Sequence, residues 1–286
     1  MLGRRGSLRY LAVPPFLWLI LLFVAPLLLA VAISLRPDSG PINFSRPWQV
    51  STFQYQTIID SPSWLRLLLV SAGMAFIVAT VATLLAYPVA YFLAFRARER
   101  AGLYLVLLLV PSTASFLLRV MAWKLLLGSD GAINSFLIWI GLIREPIGLL
   151  LYSQAAVILT LIYVWIPFAA LPIYAALQRV NRSHLEAAAD LGSGPWTRFL
   201  RVTVPLSLPG VLATFFMVFI PTVGEYVTPS LVGGTGGIMY GNLIQDFFTR
   251  AGNWSLGSAM AVIMLALTLA LVAIALRVVN LRRALA

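Results

Sequence analysis

The chain has 286 residues, of which 61% are hydrophobic and only 10% charged, with a formal net charge of +11. Soluble domains carry about 25% charged residues, so a soluble enzyme or binding module is excluded, and the apolar runs lack the alternation of an outer-membrane barrel. All but one of the 20 basic residues are Arg and sit mainly beside apolar runs, which serves membrane topology rather than nucleic acid; with no cysteine and a single histidine, His184, thiol chemistry and metal sites built on several imidazoles are excluded as well.

A membrane helix needs about 20 apolar residues. Six runs meet that length, at 10–35, 64–95, 103–127, 150–177, 206–229 and 255–277. Arg4, Arg5 and Arg9 before the first run imitate a secretory signal. Its apolar stretch of about 25 residues exceeds a signal core and no small-residue cleavage site follows, which predicts an uncleaved span. The second run is longer than a bilayer needs, which predicts tilt or protrusion. Pro88, Pro167, Pro172 and Pro221 fall inside runs and predict kinks. No internal repeat or second soluble domain is visible, so residues 1–286 read as one transmembrane domain.

Charge orients the spans. Thirteen arginines flank one side, at 4, 5, 9, 96, 98, 100, 179, 182, 198, 201, 277, 282 and 283, against seven basic residues on the other, Arg36, Arg46, Arg66, Arg119, Lys124, Arg144 and Arg250. The excess of positive charge marks the cytoplasmic side. Both termini are then cytoplasmic, and so is the polar segment 178–205 between the fourth and fifth runs.

Within that segment Ser183-His184-Leu185-Glu186 fits the S-x-x-E capping box, with Ser183 capping and Glu186 reaching back. Residues 186–191 are good helix formers with acids near the positive end of the dipole. Gly192 and Gly194-Pro195 stop the helix. A second helical stretch from Trp196 to Val202 leads to Pro205, where the next span starts. His184 reads as a polar loop residue.

Glu186-Ala187-Ala188, then Gly192, then Val202-Thr203-Val204-Pro205 resembles the EAA motif of binding-protein-dependent ABC importer permeases. The family pattern is EAA, three residues, Gly, nine residues, then aliphatic-x-aliphatic-Pro, and every fixed position is filled. The resemblance implies an all-α membrane protein of the type I, MetI-like permease architecture, with six transmembrane helices and a five-helix core over 64–277. It also implies that Glu186, Ala187, Ala188, Asp190, Gly192 and Pro205 belong to a coupling loop, residues 178–205, that docks in a cleft of a cytoplasmic ATPase dimer. ATP and Mg2+ would be bound by that dimer and no cofactor by this chain. A second permease that is a different chain, an extracytoplasmic solute-binding protein and the lipid bilayer complete the implied partners; nucleic acid is not among them. In agreement, no G-x-x-x-x-G-K-[ST] occurs, and Gly233-Gly234-Thr235-Gly236-Gly237 lacks the lysine of a phosphate loop.

Three further stretches resemble the polyamine branch of this family: residues 84–94, residues 111–141 with Arg119-Val120-Met121-Ala122-Trp123, and residues 220–229 followed by Gly233-Gly234 and Gly241-Asn242. Relatives that carry iron, sulfate, thiamine or opines share parts of them. Glu225 is the one acid deep in an apolar run, and such a group faces a cavity or a partner. One reading places Glu225, Trp123, Tyr226, Tyr163 and Arg119 on the substrate pathway, where Glu225 meets a cationic solute and Trp123, Tyr226 or Tyr163 offers a ring face. The other pairs it with Arg119 or makes it the cap of a helix broken at Gly224. Two other classes fit poorly. An intramembrane enzyme needs a nucleophile with a base or a metal at membrane depth, and a secondary transporter needs ionisable relays and a repeat.

Overall fold

The computed structural model describes residues 13–38, 40–41 and 47–284, with the side chains at 98, 149, 182 and 278–284 outside that description. The expected start of the first span, residues 10–12, also lies outside it.

The helices in chain order are α1, Val13–Ser34; α2, Phe53–Ile59; α3, Pro62–Arg96; α4, Ala101–Thr113; α5, Phe116–Leu127; α6, Ala132–Trp139; α7, Gln154–Gln178; α8, Arg182–Asp190; α9, Pro195–Val223; α10, Tyr240–Thr249; and α11, Trp254–Ala284. Of these, α1, α3, α7, α9 and residues Trp254–Arg277 of α11 are long and apolar enough to cross a membrane, and α4 with the α5–α6 stretch makes a sixth if that bent pair is one span. The described residues thus hold five such helices, or six spans with the bent pair counted as one.

Two span boundaries differ from the sequence expectation. The third run is not a straight helix over 103–127: it bends by 82° between Thr113 and Phe116. Pro111 withdraws a backbone donor, the turn tightens to a 3-10 helix over Val110–Thr113, and Ala114 and Ser115 go extended. The fifth run starts eleven residues earlier than 206 and ends at Val223 rather than 229. Pro195 opens it, a position where a missing N–H costs nothing. Pro205 then has no N–H to give back, and the helix widens into a π turn over Phe199–Thr203 just before it. The helices otherwise run through Pro88, Pro167, Pro172 and Pro221.

By packing, the chain forms two units: Met1–Arg66 with Leu243–Ala286, and Leu67–Asn242. In the first unit α1 and α2 pack against α11. The loop after α1 is polar and closed. Arg36 pairs with Asp38 at 2.7 Å beneath the Trp48 ring at 4.9 Å, and Gln54 Nε2 donates to the carbonyls of Arg36 and Asp38. Most of α1 is exposed, with Phe16 and Trp18 both 63% so; an apolar surface of that kind needs lipid or another chain to cover it.

The second unit is built on small residues. Ser71, Ala75, Val78, Ala79, Ala82, Ala86 and Ala90 of α3 are buried at spacings of three and four, which makes one flat helix face. α7 and α9 pack most extensively. Gly210 lets α9 close on Pro172 and Ala176, where a Cβ would collide with both. Thr214 Oγ1 donates to the Ala169 carbonyl across the same contact, at 3.1 Å. Small residues and hydroxyl bonds are the adhesives available where lipid removes the hydrophobic drive between helices.

Candidate functional site

Three regions hold the residues singled out by sequence. The first is α8 with its flanks. Asn181 Oδ1 accepts from the Ser183 N–H at 3.1 Å and is the N-cap of α8. The expected capping box on Ser183 and Glu186 is thus not the one formed. Asn caps as well as Ser, and Asn181 keeps an extended backbone, ψ 130, which leaves Ser183 inside the first turn. Glu186 is exposed and holds no backward bond.

The other end matches expectation. Gly192 sits at φ +80, its N–H donates to Ala189 O at 2.9 Å, and Ser193 N–H donates to Ala188 O at 3.0 Å. This is a Schellman closure. A Cβ at residue 192 would meet nothing within 4 Å, so glycine is needed for its dihedral rather than for room. The surface so formed presents Glu186, Ala187, Asp190 and His184 outward, with Ala188 half-buried. Beside them stand two apolar side chains that the sequence reading passed over, Leu191 at 86% and Trp196 at 71% exposure. Only knowing that the Schellman turn throws Leu191 outward could have flagged it.

α8 packs on Pro195–Arg198 and on the π turn that follows. Trp196 stacks on Phe199 at 5.4 Å, and Phe199 meets Tyr87 and Tyr91 of α3 edge-on at 5.8 and 5.7 Å. These rings, with Thr83 and Leu208, line an apolar groove of about 810 Å³. Tyr87 Oη and Ser207 Oγ are 2.9 Å apart at its side. A push on α8 therefore reaches α9 at its first turn and α3 through a chain of rings. Pro205, exposed, follows the π turn directly.

The second region is the break after α9. The helix stops at Val223 with Gly224 as its C-cap. Glu225 Oε1 then accepts from the N–H groups of Val227 and Thr228, at 2.9 and 3.1 Å, and so caps the helical turn that restarts there. A carboxylate is well placed at the positive end of a helical turn. Of the two structural readings for Glu225, the cap forms and no ion pair joins it to Arg119. Asn242 seals the break: its Oδ1 accepts from Met239 N–H at 3.0 Å, and its Nδ2 donates to Tyr226 O at 2.8 Å and Ser230 Oγ at 2.7 Å. Gly241 lies against the carbonyls of Gly224 and Glu225, where a Cβ would sit 2.7 Å from each oxygen. The Tyr240 N–H donates to Ser71 Oγ at 2.7 Å. The Tyr240 side chain is fully buried, and burial pushes its phenol up to about 12, so it stays neutral at any physiological pH.

Arg119, Trp123 and Tyr163 come together elsewhere in this unit. The rings of Trp123 and Tyr163 lie 5.3 Å apart. All three residues line a cavity of about 460 Å³ with Pro111 and Leu118. Tyr226, 43% exposed, stands with Glu225 and not with them. The turn after the break, Pro229–Gly233, packs on both α5 and α7, which carry the cavity residues. Among the described residues no group of three or more His, Asp or Glu side chains could hold a metal.

The sequence model of the family described as binding-protein-dependent transport system inner membrane component matches residues 86–286. The chain is 32% identical over 247 residues to the spermidine/putrescine transport system permease protein PotB of Escherichia coli K12, covering 86% of this chain and 88% of that protein. It is 32% identical over 228 residues to the inner membrane ABC transporter permease protein YdcU of the same organism, covering 74% and 72%. Among solved structures, a bacterial ABC transporter involved in the import of the acidic polysaccharide alginate superposes with a TM-score of 0.67 at 16% identity, over 96% of this chain and 95% of that one.

Proposed function

For a chain that belongs to the family of inner membrane components of binding-protein-dependent transport systems, and is therefore the multi-pass inner membrane permease of an ABC importer, we propose that the transported solute is a polyamine. The observation that carries this is the 32% identity to the spermidine/putrescine permease, which spans 86% of the chain rather than one motif. Alginate transporters share the fold at 16% identity, which speaks to architecture alone. Iron(III), opine, thiamine and sulfate remain the alternative cargoes.

The mechanism follows from the first two regions. The positive-inside arrangement puts α8 and both termini in the cytoplasm. There α8, with Glu186, Ala187, Ala188, Asp190 and Gly192, docks on a cytoplasmic ATPase dimer that binds ATP and Mg2+; this chain holds no nucleotide itself. Exposed Leu191 and Trp196 give that contact an apolar centre, the kind of anchor that dominates interface energy. Closure of the ATPase pair moves α8, and the ring chain through Trp196 and Phe199 carries the motion to α3 and α9. An extracytoplasmic binding protein delivers the solute, and a second permease chain supplies the other half of the pathway. Glu225 keeps one carboxylate oxygen in its cap; its second oxygen, with the ring of Tyr226, offers a cationic amine a partner at the break.

The test is uptake of labelled spermidine and putrescine in cells with and without this chain. Loss of either uptake on deletion is the expected result, and no change for both would refute the polyamine assignment while leaving the importer role standing. In the restored strain, Glu225→Gln is expected to raise the KM for polyamine several-fold at normal protein level. An unchanged KM removes Glu225 from the pathway.

A further inference from the structure

Lys124 is the only lysine in the chain, and its surroundings are unusual for a cation. It is half-buried in α5, and among the described residues no carboxylate pairs with it. Its Nζ stands instead over the Tyr152 ring, 5.8 Å from the ring centre. An ammonium within about 6 Å of a ring face is attracted by the ring's quadrupole. Tyr152 is 55% exposed, so Lys124 does not close the ring off from other cations.

The backbone holds that ring in place under strain. Tyr152 has φ +61 and is, among the described residues, the one non-glycine with a positive φ. A left-handed backbone is unfavourable for a bulky aromatic residue and persists only where neighbours over-determine it. Ser153 follows as the N-cap of α7, its Oγ accepting from the Ala156 N–H at 3.1 Å. Gly234, at φ +56, closes on Tyr152 from the other side, where a Cβ would lie 2.6 Å from the Tyr152 Cβ. Gly234 ends the turn Pro229–Gly233, which packs on α5 and α7 and continues from the break at Glu225 and Tyr226. α5, the start of α7 and the chain leaving the break thus converge on one exposed ring.

From Cβ to Nζ the Lys124 side chain is an aminobutyl group, the same four-carbon ammonium chain that makes up putrescine and one arm of spermidine. We propose that the Tyr152 ring is an amine subsite at the extracytoplasmic mouth of the pathway, that Lys124 occupies it as a tethered stand-in when no solute is present, and that an arriving polyamine ammonium displaces it on the way to Glu225 and Tyr226. This rests on the polyamine reading and on the orientation that places Lys124 outside. A ring face holds an exposed ammonium weakly, which suits a subsite that has to release what it takes. The displaced Lys124 has no ion pair to break.

The experiment uses the complete importer in proteoliposomes, saturated with its binding protein loaded with labelled putrescine, and reads the initial rate of ATP-driven uptake. Tyr152→Gly removes the ring at a backbone position that suits glycine, so the thermal midpoint should hold while uptake falls about two- to fivefold. Tyr152→Phe keeps a ring and should recover most of the lost rate. Lys124→Met removes the competitor and should raise uptake above the parent's. Should Tyr152→Gly fail to assemble, Tyr152→Asn, which also tolerates this backbone, takes its place. A contact that only ties α5 to α7 would slow Lys124→Met and Tyr152→Gly together. That pattern overturns the proposal, as does any other in which the two variants do not shift in opposite directions. A parent that carries neither putrescine nor spermidine removes the polyamine reading and this subsite with it, whereas a polyamine-carrying parent without the opposite shifts removes the subsite alone.

Discussion

The α8 segment and the break at Glu225 both interrupt a greasy helical chain, but they are held in opposite ways. α8 is closed by neighbours in sequence: Asn181 caps it, and the Gly192 turn ends it on the carbonyls of Ala188 and Ala189. Its outer face, with Glu186, Ala187 and Asp190, is exposed. The break is closed from far away, by Asn242 on Tyr226 and Ser230 and by Gly241 on the Glu225 carbonyl. A surface that is locally self-sufficient is free to be used by a partner. A break stitched by distant residues is rigid, because freeing any one group exposes the others unpaired where lipid offers no water to replace them. The first region can therefore transmit motion, whereas the second resists it.

Substitutions in the two regions should accordingly separate function from stability. The largest effect is expected of Glu186→Lys. Reversing a charge on this exposed face leaves the fold alone, since the Glu186 side chain has no bond among the described residues, but like-charge juxtaposition in the proposed interface costs several kcal/mol. ATP-driven uptake should fall at least about tenfold with membrane level and melting temperature unchanged; a drop in melting temperature to match would erase the distinction.

Asn242→Leu comes next and reverses the pattern. It removes three hydrogen bonds at once, worth about 1 kcal/mol each, so the purified complex should be destabilised by about 3 kcal/mol, read as a lower thermal midpoint. Uptake should decline only as folded protein declines. An uptake defect at normal stability would mean that the break moves.

The smallest effect distinguishes two caps. Asn181→Ala should cost about 1 kcal/mol of local helix stability and lower uptake modestly, whereas Ser183→Ala should change nothing. Measuring uptake of the pair in parallel settles which residue starts α8, and the opposite ranking would restore the S-x-x-E box.

The same contrast explains what could be read from the sequence. The EAA spacing, Gly192 and the polar character of 178–205 lie on consecutive residues, so the motif and its turn were legible without a structure. The cap was misplaced by two residues because Asn181 and Ser183 are both good caps and only the backbone chooses between them. Glu225 could be recognised as exceptional, but its cap role depends on dihedrals after Gly224 that composition does not encode. Ser71 and the Tyr240 N–H, 169 positions apart, gave no local signal of pairing. Nor did the joint enclosure of Pro111, Arg119 and Tyr163 by α4, α5 and α7, since the bend that brings α4 and α5 to one cavity follows from extended geometry at Ala114 and Ser115 within an otherwise continuous apolar run. The start of α9 at Pro195 was hidden for a related reason: Pro205 looks like a helix start until the π turn before it is seen.

The central claim is that the exposed face of α8 is covered by an ATPase subunit. The chain contains no cysteine, so Ala187→Cys places a single thiol on that face. Labelled with a maleimide-linked photoreactive group in the complete importer, this thiol should cross-link to the ATPase subunit, and ATP should change the yield. A thiol that reacts freely with a bulky water-soluble maleimide in the assembled importer and yields no ATPase cross-link would contradict the account.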